Sequence, residues 1–294
     1  MIREGFAEVP GARLRFRMAG TPTRHPLLVF ENGWGASYEA WAWMERALAR
    51  QVRMLFYDRA GIGGSGSSQP GSQSVAGLSA QLIAMLSALG VTERVVVVGH
   101  SYGGLIGSLH AIQQPGSVRA VVGLDSSPDQ SDPVLDKQMQ MVHGVAKLAI
   151  LCAHLGIPDP LFCPASRRLP QPEGRLLVER SFGSVPSLRA SVEELNLFNG
   201  IKATLADAKT ELPHLIVSAG RASELKGWIG RVLAPPERAR RIVQRMQGLH
   251  QKRVALSRHG VWEELPHDHG GLVFSETGAS DSAARILEFL DSLS

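Results

Sequence analysis

The sequence predicts an α/β protein with a mostly parallel, doubly wound sheet and a helical insertion between the sixth and seventh strands. Residues 95–98 are consecutive valines, and runs that are apolar on both faces are typical of strands covered by helices on both sides. Segments with helical spacing of apolar residues alternate with such strands, which favours parallel pairing. After residue 128 the alternation stops, and as far as residue 210 two stretches with helical spacing flank an irregular region of prolines and arginines without a strand.

The elements up to residue 128 follow from apolar runs separated by turn residues. Strands are predicted at 7–9 and 13–18 around a Pro-Gly turn, and then at 27–30, 54–57, 95–98 and 120–125. Helices are predicted from residue 37, over 74–89 and over 104–112. Residues 1–128 are therefore assigned to the first part of a sheet-based core.

The rest of the chain divides into the insertion and a second part of the core. Apolar residues recur at helical spacing from 139 to 151, and a further helix is predicted at 192–205. Strands return at 215–220 and 261–265, with a polar helix over 236–257 between them and an amphipathic helix over 283–290 after them. We assign 129–210 to the insertion and 211–294 to the second part of the core.

Composition and charge exclude several classes of protein. The 294 residues are 44% hydrophobic and 20% charged, and the net charge of +4 comes from scattered arginines without a nucleic-acid-binding motif. Cys152 and Cys163 match neither a disulfide framework nor a metal motif, and no signal peptide or apolar run of ~18 residues is found. We expect a cytoplasmic monomer or homodimer with a small-molecule substrate and without nucleic acid, membrane, metal or cofactor.

The segment from Gly99 to Gly103, Gly-His-Ser-Tyr-Gly, connects the valine strand to a helix of small residues. So tight a reversal forces Ser101 into a strained conformation, and the flanking glycines remove Cβ atoms that would collide. The hydroxyl group is then held above the edge of the sheet, beside a helix N-terminus. The segment predicts a serine nucleophile at Ser101.

Taken together, these segments resemble the α/β-hydrolase superfamily. The resemblance spans nearly the whole chain outside the insertion, and the segments 57–61 and 124–130 resemble those of a bacterial branch of hydrolases. It implies that residues 129–210 form a helical cap. It also implies that the backbone N–H groups of Tyr102 and of Trp34, in the turn at 32–35, would stabilise the oxyanion of an acyl-transfer intermediate.

The resemblance places a catalytic base after the last strand, where His267 and His269 both qualify. We favour His269, because it leads into an apolar stretch before the final helix, whereas His267 directly follows Pro266. His267 remains the alternative base. The side chain of His100, within the nucleophile turn, is expected to point away from the base.

The acid of the expected triad departs from the common pattern of the superfamily. Ser223 occupies the position of the usual aspartate, and a serine cannot hold an imidazolium as a carboxylate does. We favour Asp125, because a carboxylate that ends a buried strand needs a partner such as an imidazole. Glu224, displaced by one residue from the expected position, remains the alternative.

These assignments predict two-step hydrolysis through an acyl-enzyme on Ser101. Apolar residues of the predicted cap, including Met139, Val142 and Val145, would bind a mid-sized hydrophobic ester or a related acyl compound. An acyltransferase, or a cofactor-free enzyme that cleaves C–C bonds or acts on natural products, could use the same residues. The serine at position 223 leaves a catalytically weak small-molecule receptor as a further alternative.

Overall fold

Eight strands form one sheet in the computed structural model of the protein, which describes residues 2–66, 73–154, 166–222 and 236–293. The side chains of residues 142, 143, 145, 146, 148, 149 and 151–154 lie outside this description. The strands are β1 (Arg3–Val9), β2 (Ala12–Gly20), β3 (Leu28–Glu31), β4 (Arg53–Tyr57), β5 (Val95–His100), β6 (Val118–Leu124), β7 (His214–Ala219) and β8 (Gly260–Leu265).

The strands lie side by side in the order β1-β2-β4-β3-β5-β6-β7-β8. The β1–β2 and β2–β4 pairs are antiparallel, and the pairs from β4–β3 to β7–β8 are parallel. The mostly parallel sheet expected from the sequence is therefore confirmed.

Helices cover both faces of this sheet. They are α1 (Ala42–Leu48), α2 (Val75–Ala88), α3 (Tyr102–Gln113), α4 (Pro133–His154), α5 (Glu173–Leu177), α6 (Val185–Leu205), α7 (Pro236–Ala255), α8 (Gly271–Phe274) and α9 (Glu276–Ser292). A 3₁₀ turn, Tyr38–Trp41, precedes α1, and a π-helical turn, Val178–Phe182, follows α5. Among the helices in the described ranges, none is both long and apolar enough to cross a lipid bilayer.

The core has two layers because the side chains of a strand alternate between the faces of the sheet. On β5, Val96 and Val98 belong to the layer that includes Trp41 of the 3₁₀ turn. Val95 and Val97 belong to the opposite layer, which includes Leu82 of α2. The valine run is thus buried on both faces, as its composition predicts.

Helices α4, α5 and α6 lie between β6 and β7 in the chain, and we call them the inserted helices. Helix α6 packs on α3, where Phe198 and Ile201 share an apolar cluster with Tyr102 and Leu105. That the inserted helices act as a substrate cap remains a prediction.

The order of the strands reverses beside β3. The chain passes from β3 outward to β4 and then returns across β3 to form β5 on its other side. In open parallel sheets, the carboxyl ends of the strands at such a reversal enclose a crevice. The segments that follow β3 and β5 are therefore neighbours, although they are far apart in the sequence.

Candidate active site

Ser101 occupies a strained turn between β5 and α3. Its φ of 54° lies in the left-handed region, which non-glycine residues rarely adopt. A Cβ atom on Gly99 would lie 2.2 Å from the carbonyl oxygen of Gly103, and one on Gly103 would lie 2.1 Å from that of Glu31. Both glycines are therefore required by the close approach of β3, β5 and α3 at this point.

Asp125 and His269 form the central hydrogen bond of the candidate site. The Nδ1 atom of His269 lies 2.6 Å from Oδ2 of Asp125, and the His269 side chain is 42% exposed. Asp125 follows β6 and is 6% exposed. Since β5 and β6 are neighbours, with His100 opposite Leu124, Asp125 lies beside the Ser101 turn.

The backbone of β7 fixes the orientation of Asp125. Its N–H donates to the Val217 carbonyl at 2.7 Å, and its Oδ1 accepts from the N–H of Ala219 at 3.0 Å. The φ of Asp125 is 44°, so this residue is also held in the left-handed region. The carboxylate is therefore directed at His269 by the sheet itself.

The charges of this pair determine which imidazole nitrogen is basic. Burial favours the neutral acid, but the hydrogen bond and charge of His269 and the charge of His250 hold the pKa of Asp125 well below its usual range. Because the carboxylate only accepts hydrogen bonds, Nδ1 of His269 carries the proton and Nε2 is the basic nitrogen. Burial opposes the imidazolium, yet Asp125 outweighs it and raises the pKa of His269, an effect that solvent at the exposed part of the ring moderates.

A second histidine, His250 of α7, lies behind Asp125 and was not anticipated from the sequence. Its Nδ1 is 4.0 Å from Oδ1 of Asp125 and 2.7 Å from Oγ of Ser218, and its Nε2 is 2.7 Å from the Ser126 carbonyl oxygen. The indole N–H of Trp262 donates to Ser218 Oγ at 2.8 Å, so hydrogen bonds connect Trp262, Ser218 and His250.

The expectation that His100 points away from the base is wrong. The rings of His100 and His269 lie 4.6 Å apart, and Nε2 of His100 donates to the His269 carbonyl oxygen at 2.9 Å. The alternation of β5 places His100 on the same face as Val96 and Val98, and α8, which follows His269, covers that face. Burial first, and then the charge of His269, lower the pKa of His100 to about 3, so this ring remains neutral beside the base.

The structure describes the alternative base, His267, but not the alternative acid, Glu224. His267 pairs with a different carboxylate, and its Nε2 lies 2.7 Å from Oδ2 of Asp281 on α9. Glu224 and Ser223 lie outside the described residues. Among the described residues beside the Ser101 turn, Asp125 and His269 are the acid and histidine that are hydrogen-bonded to each other.

The turn at 32–35 lies against the Ser101 turn. A Cβ atom on Gly33 would lie 3.9 Å from Cβ of Ser101 and 3.4 Å from Nδ1 of His100. The side chain of Asn32 is used for packing, because its Nδ2 donates to the Tyr57 carbonyl at 2.7 Å and its Oδ1 accepts from the indole of Trp41 at 2.8 Å. The backbone of this turn therefore faces the candidate nucleophile.

The other expected oxyanion donor, the N–H of Tyr102, is at the first position of α3. Backbone N–H groups in the first turn of a helix have no partner within the helix, and they carry the positive end of its dipole. The Tyr102 side chain is 1% exposed, and its hydroxyl donates to the Glu194 carbonyl oxygen of α6 at 2.8 Å.

Of the apolar residues expected to bind substrate, Met139 is described. Its half-buried side chain packs against the cluster that contains Tyr102, as does that of Trp34. The side chains of Val142 and Val145 lie outside the described residues. Within the described part of the chain, no group of three or more His, Cys, Asp or Glu residues is arranged to hold a metal ion.

Sequence reasoning also missed a buried ion pair beneath the turn at 32–35, formed by Arg59 after β4 and Glu194 on α6. Their side chains are 5% and 0% exposed. One signal was available, since Arg59 follows a fully buried run at the end of β4, where a charge needs a partner. Nothing in the sequence indicated that the partner lies at position 194.

Comparisons with known proteins agree with this architecture. A family model described as the alpha/beta hydrolase fold matches residues 26–149, a range that contains the turn at 32–35, Ser101 and Asp125. RutD of Pseudomonas savastanoi pv. phaseolicola, named as a candidate carbamate hydrolase, is 29% identical over 208 residues, which are 69% of this chain and 78% of the relative.

Two solved structures show the same fold. A thermophilic esterase from Thermogutta terrifontis matches with a TM-score of 0.69 and 17% identity, covering 99% of each chain. An enol-lactonase from Burkholderia xenovorans LB400 matches with a TM-score of 0.64 and 17% identity, covering 98% of this chain and all (100%) of that one. At these identities the likeness concerns the fold.

Proposed function

This chain is a hydrolase of the α/β-hydrolase superfamily, and from that premise we propose that it cleaves a mid-sized hydrophobic ester through an acyl-enzyme on Ser101. His269 acts as the base and Asp125 orients it. The backbone N–H groups of Trp34 and Tyr102 stabilise the oxyanion.

The proposed reaction has two steps with the same acid–base residue. Ser101 Oγ attacks the ester carbonyl carbon while Nε2 of His269 takes the hydroxyl proton, and the carbonyl electron pair moves onto oxygen. When the tetrahedral intermediate collapses, the bond to the leaving alcohol breaks and His269 gives its proton to that alcohol. Water, deprotonated by His269, then attacks the acyl-enzyme, releases the acid and regenerates Ser101.

The observation that carries this proposal is the 2.6 Å hydrogen bond between Asp125 and His269 beside the strained Ser101 turn. A carboxylate at Nδ1 fixes the tautomer whose Nε2 accepts a proton, and it stabilises the imidazolium that forms during attack. An imidazole with a raised pKa, a neighbouring carboxylate and a serine in a left-handed turn are the parts that acyl transfer needs.

The substrate class rests on the apolar surroundings of the turn and on the relatives. Trp34, Met139 and Tyr102 belong to one apolar cluster, which favours a hydrophobic acyl or alcohol group. Esters and carbamates present the same carbonyl to a serine, so the names of the esterase and of RutD both fit this site. We choose the ester because this apolar cluster suits the alkyl groups of a hydrophobic ester.

The test compares turnover of p-nitrophenyl butyrate and of a p-nitrophenyl dialkylcarbamate by four proteins: wild type, Ser101→Ala, His269→Gln and the matched control His267→Gln. We expect kcat for the ester to fall at least about 10⁴-fold in the first two variants and to stay within about twofold in the control. Wild-type rates in Ser101→Ala would refute the proposal. A higher kcat/KM for the carbamate than for the ester would refute the choice of substrate class and retain the nucleophile.

A further inference from the structure

We propose that Arg59 and Glu194 are positioning residues that orient the Gly33–Trp34 peptide for oxyanion stabilisation and connect the inserted helix α6 to that peptide. The inference rests on the proposed acyl transfer at Ser101 and concerns residues that do not contact the substrate. It assigns a role to a buried ion pair that the proposed reaction does not itself use.

The Arg59 guanidinium binds two backbone carbonyls of the turn at 32–35. Its Nη1 donates to the Asn32 carbonyl oxygen at 2.7 Å, and its Nη2 donates to the Gly33 carbonyl oxygen at 3.0 Å. The same guanidinium makes a two-point contact with the Glu194 carboxylate, with Nε at 2.5 Å and Nη2 at 3.0 Å. A planar guanidinium presents its five donors in a fixed fork, so these contacts hold the turn and α6 in one relative orientation.

The contact with Gly33 bears directly on the candidate oxyanion donor. The Gly33 carbonyl and the Trp34 N–H belong to the same peptide group, which is planar and points these two groups in opposite directions. Fixing the carbonyl on Arg59 therefore fixes the direction of the Trp34 N–H. A positive charge on that carbonyl also polarises the peptide, which strengthens its N–H as a donor.

Glu194 holds the other end of the turn. Its Oε2 accepts a hydrogen bond from the Gly35 N–H at 3.1 Å, and one helical turn earlier the Ser191 carbonyl oxygen accepts from the Trp34 indole at 2.6 Å. A Cβ atom on Gly35 would lie only 2.9 Å from Cβ of Ser191, so turn and helix are in tight contact. The inserted helix α6 thus contributes to the geometry of the oxyanion donor.

A second buried carboxylate, that of Glu31, also contacts Arg59 and is itself held by other polar groups. Glu31, at the end of β3, places Oε2 at 3.4 Å from Nη1 of Arg59. Its Oε1 accepts from the hydroxyl of Tyr57 and lies 2.9 Å from Nε2 of His110. Arg59 therefore lies between two carboxylates in a region where water does not compete, which makes its position well defined.

A second buried ion pair, Arg253 with Asp129, serves as a control that distinguishes a positioning role of Arg59 from a general contribution to stability. Arg253 is 4% exposed, as Arg59 is, and pairs with the buried Asp129 at 3.3 Å. It also donates to two backbone carbonyls, those of Leu205 at 3.2 Å and Ala208 at 3.1 Å. Those carbonyls lie at the end of α6 and after it, not in the turn at 32–35. Arg253 thus resembles Arg59 in its burial, in its carboxylate partner and in donating to two carbonyls, and it lacks the connection to Trp34.

The experiment compares Arg59→Lys with Arg253→Lys. A lysine keeps the charge, but its single ammonium group cannot span Glu194 and both carbonyls. We measure kcat and KM for p-nitrophenyl butyrate, thermal unfolding, and the inhibition constant of a trifluoromethyl ketone, which forms a tetrahedral oxyanion adduct with a reactive serine. In Arg59→Lys we expect kcat to fall and the inhibition constant to rise in parallel, each by about 10- to 100-fold, with KM within about threefold. In Arg253→Lys we expect all three constants to stay within about twofold, with a comparable loss of thermal stability.

Equal kinetic constants in two folded lysine variants would overturn this inference, and so would a fall in kcat without a rise in the inhibition constant. If Arg59→Lys does not fold, Glu194→Gln replaces it, because the amide still accepts from Gly35 while the charge is lost. We then expect kcat to fall and the inhibition constant to rise in parallel, each by about 3- to 10-fold. Wild-type values of both constants would overturn the inference. If the wild type and Ser101→Ala turn over the ester equally, the proposed function is wrong and this inference fails with it. If turnover depends on Ser101 but Arg59→Lys keeps wild-type constants, this inference alone is wrong.

Discussion

The acid–base side of the candidate site, Asp125 with His269, is held by the ends of adjacent strands, whereas the oxyanion side, the turn at 32–35, is held by an ion pair that reaches into the inserted helix α6. On the first side the fixing bonds come from the backbone of β7. On the second they come from two side chains separated by 135 positions in the sequence.

This difference indicates which side of the site is more sensitive to substitutions in the inserted helices. Asp125 is held by backbone groups of β7, which the pairing of β6 with β7 places beside it, so its direction depends on the sheet and on no second side chain. A buried ion pair depends on the identity of both side chains and on the packing of α6, because an unpaired buried charge is costly. We therefore expect changes in the insertion to alter the oxyanion side and to leave the acid–base side unchanged.

The largest effect that tests this contrast is expected from Asp125→Asn. The variant keeps the shape of the side chain but removes the charge that selects the tautomer of His269, so kcat should fall about 10³- to 10⁴-fold. The raised pKa of His269 means that the protonated, inactive form persists to higher pH. As the pH falls, wild-type kcat/KM should therefore begin to decrease at a pH above ~6.5, the ordinary pKa of histidine. Without the Asp125 carboxylate, burial of the ring is opposed only by the weaker effect of Asp268, and the limb should move to lower pH.

The control for this variant is Asp129→Asn, which removes a buried carboxylate of the same segment that pairs with Arg253 instead of His269. It should lower the stability and leave the acid limb in place. An acid limb that stays unchanged in Asp125→Asn would break the acid–base half of the comparison.

An intermediate effect is expected from Gly35→Ala on the oxyanion side. Gly35 has a φ of +61°, and the new methyl group would lie 2.9 Å from Cβ of Ser191. Strain and overlap together should lower the free energy of unfolding by about 2 kcal/mol and shift the turn away from α6, lowering kcat about 10-fold. Chemical denaturation and steady-state kinetics measure the two effects.

The matched control is Gly11→Ala, because Gly11 has a φ of +76° with no atom within 4 Å of the new methyl group. It should lose about 1 kcal/mol through strain alone and keep its kcat. If both alanine variants keep wild-type kcat, the tight contact between the turn and α6 has no bearing on catalysis.

The smallest effect is expected from Trp34→Phe, which removes the indole hydrogen bond to the Ser191 carbonyl. The stability should fall by about 1 kcal/mol and kcat by about threefold. Trp43→Phe is the control, since the Trp43 indole donates to the Arg168 carbonyl at 2.9 Å and not to α6. An equal kcat in the two variants would show that contact between α6 and the turn can be loosened without consequence.

The parts of the site that the sequence predicts are those set by local patterns. The valine strand, the glycines around Ser101 and the apolar stretch after His269 each lie within a few residues of the group that they position. The mostly parallel sheet followed from the same local patterns, and its boundaries differ from the predicted ones by a few residues.

The parts that sequence reasoning missed depend on contacts across the fold. Glu194 lies on a helix whose polar residues are ordinarily solvated, and only the packing of α6 on the turn buries it. The direction of His100 required knowing which face of β5 the segment after His269 covers. Neither relation has a signature in a single sequence, because each joins segments more than a hundred positions apart.

The position of Glu194 also has a consequence for exchanging parts between enzymes of this fold. An inserted segment that only roofs a pocket could be replaced as a unit to change specificity. Here α6 carries the acceptor for Arg59 and for the Gly35 N–H. A transplanted segment without a carboxylate at this place would leave the buried Arg59 with Glu31 as its one carboxylate partner among the described residues. Successful chimeras would have to inherit the carboxylate together with the helix, or replace the arginine at the same time.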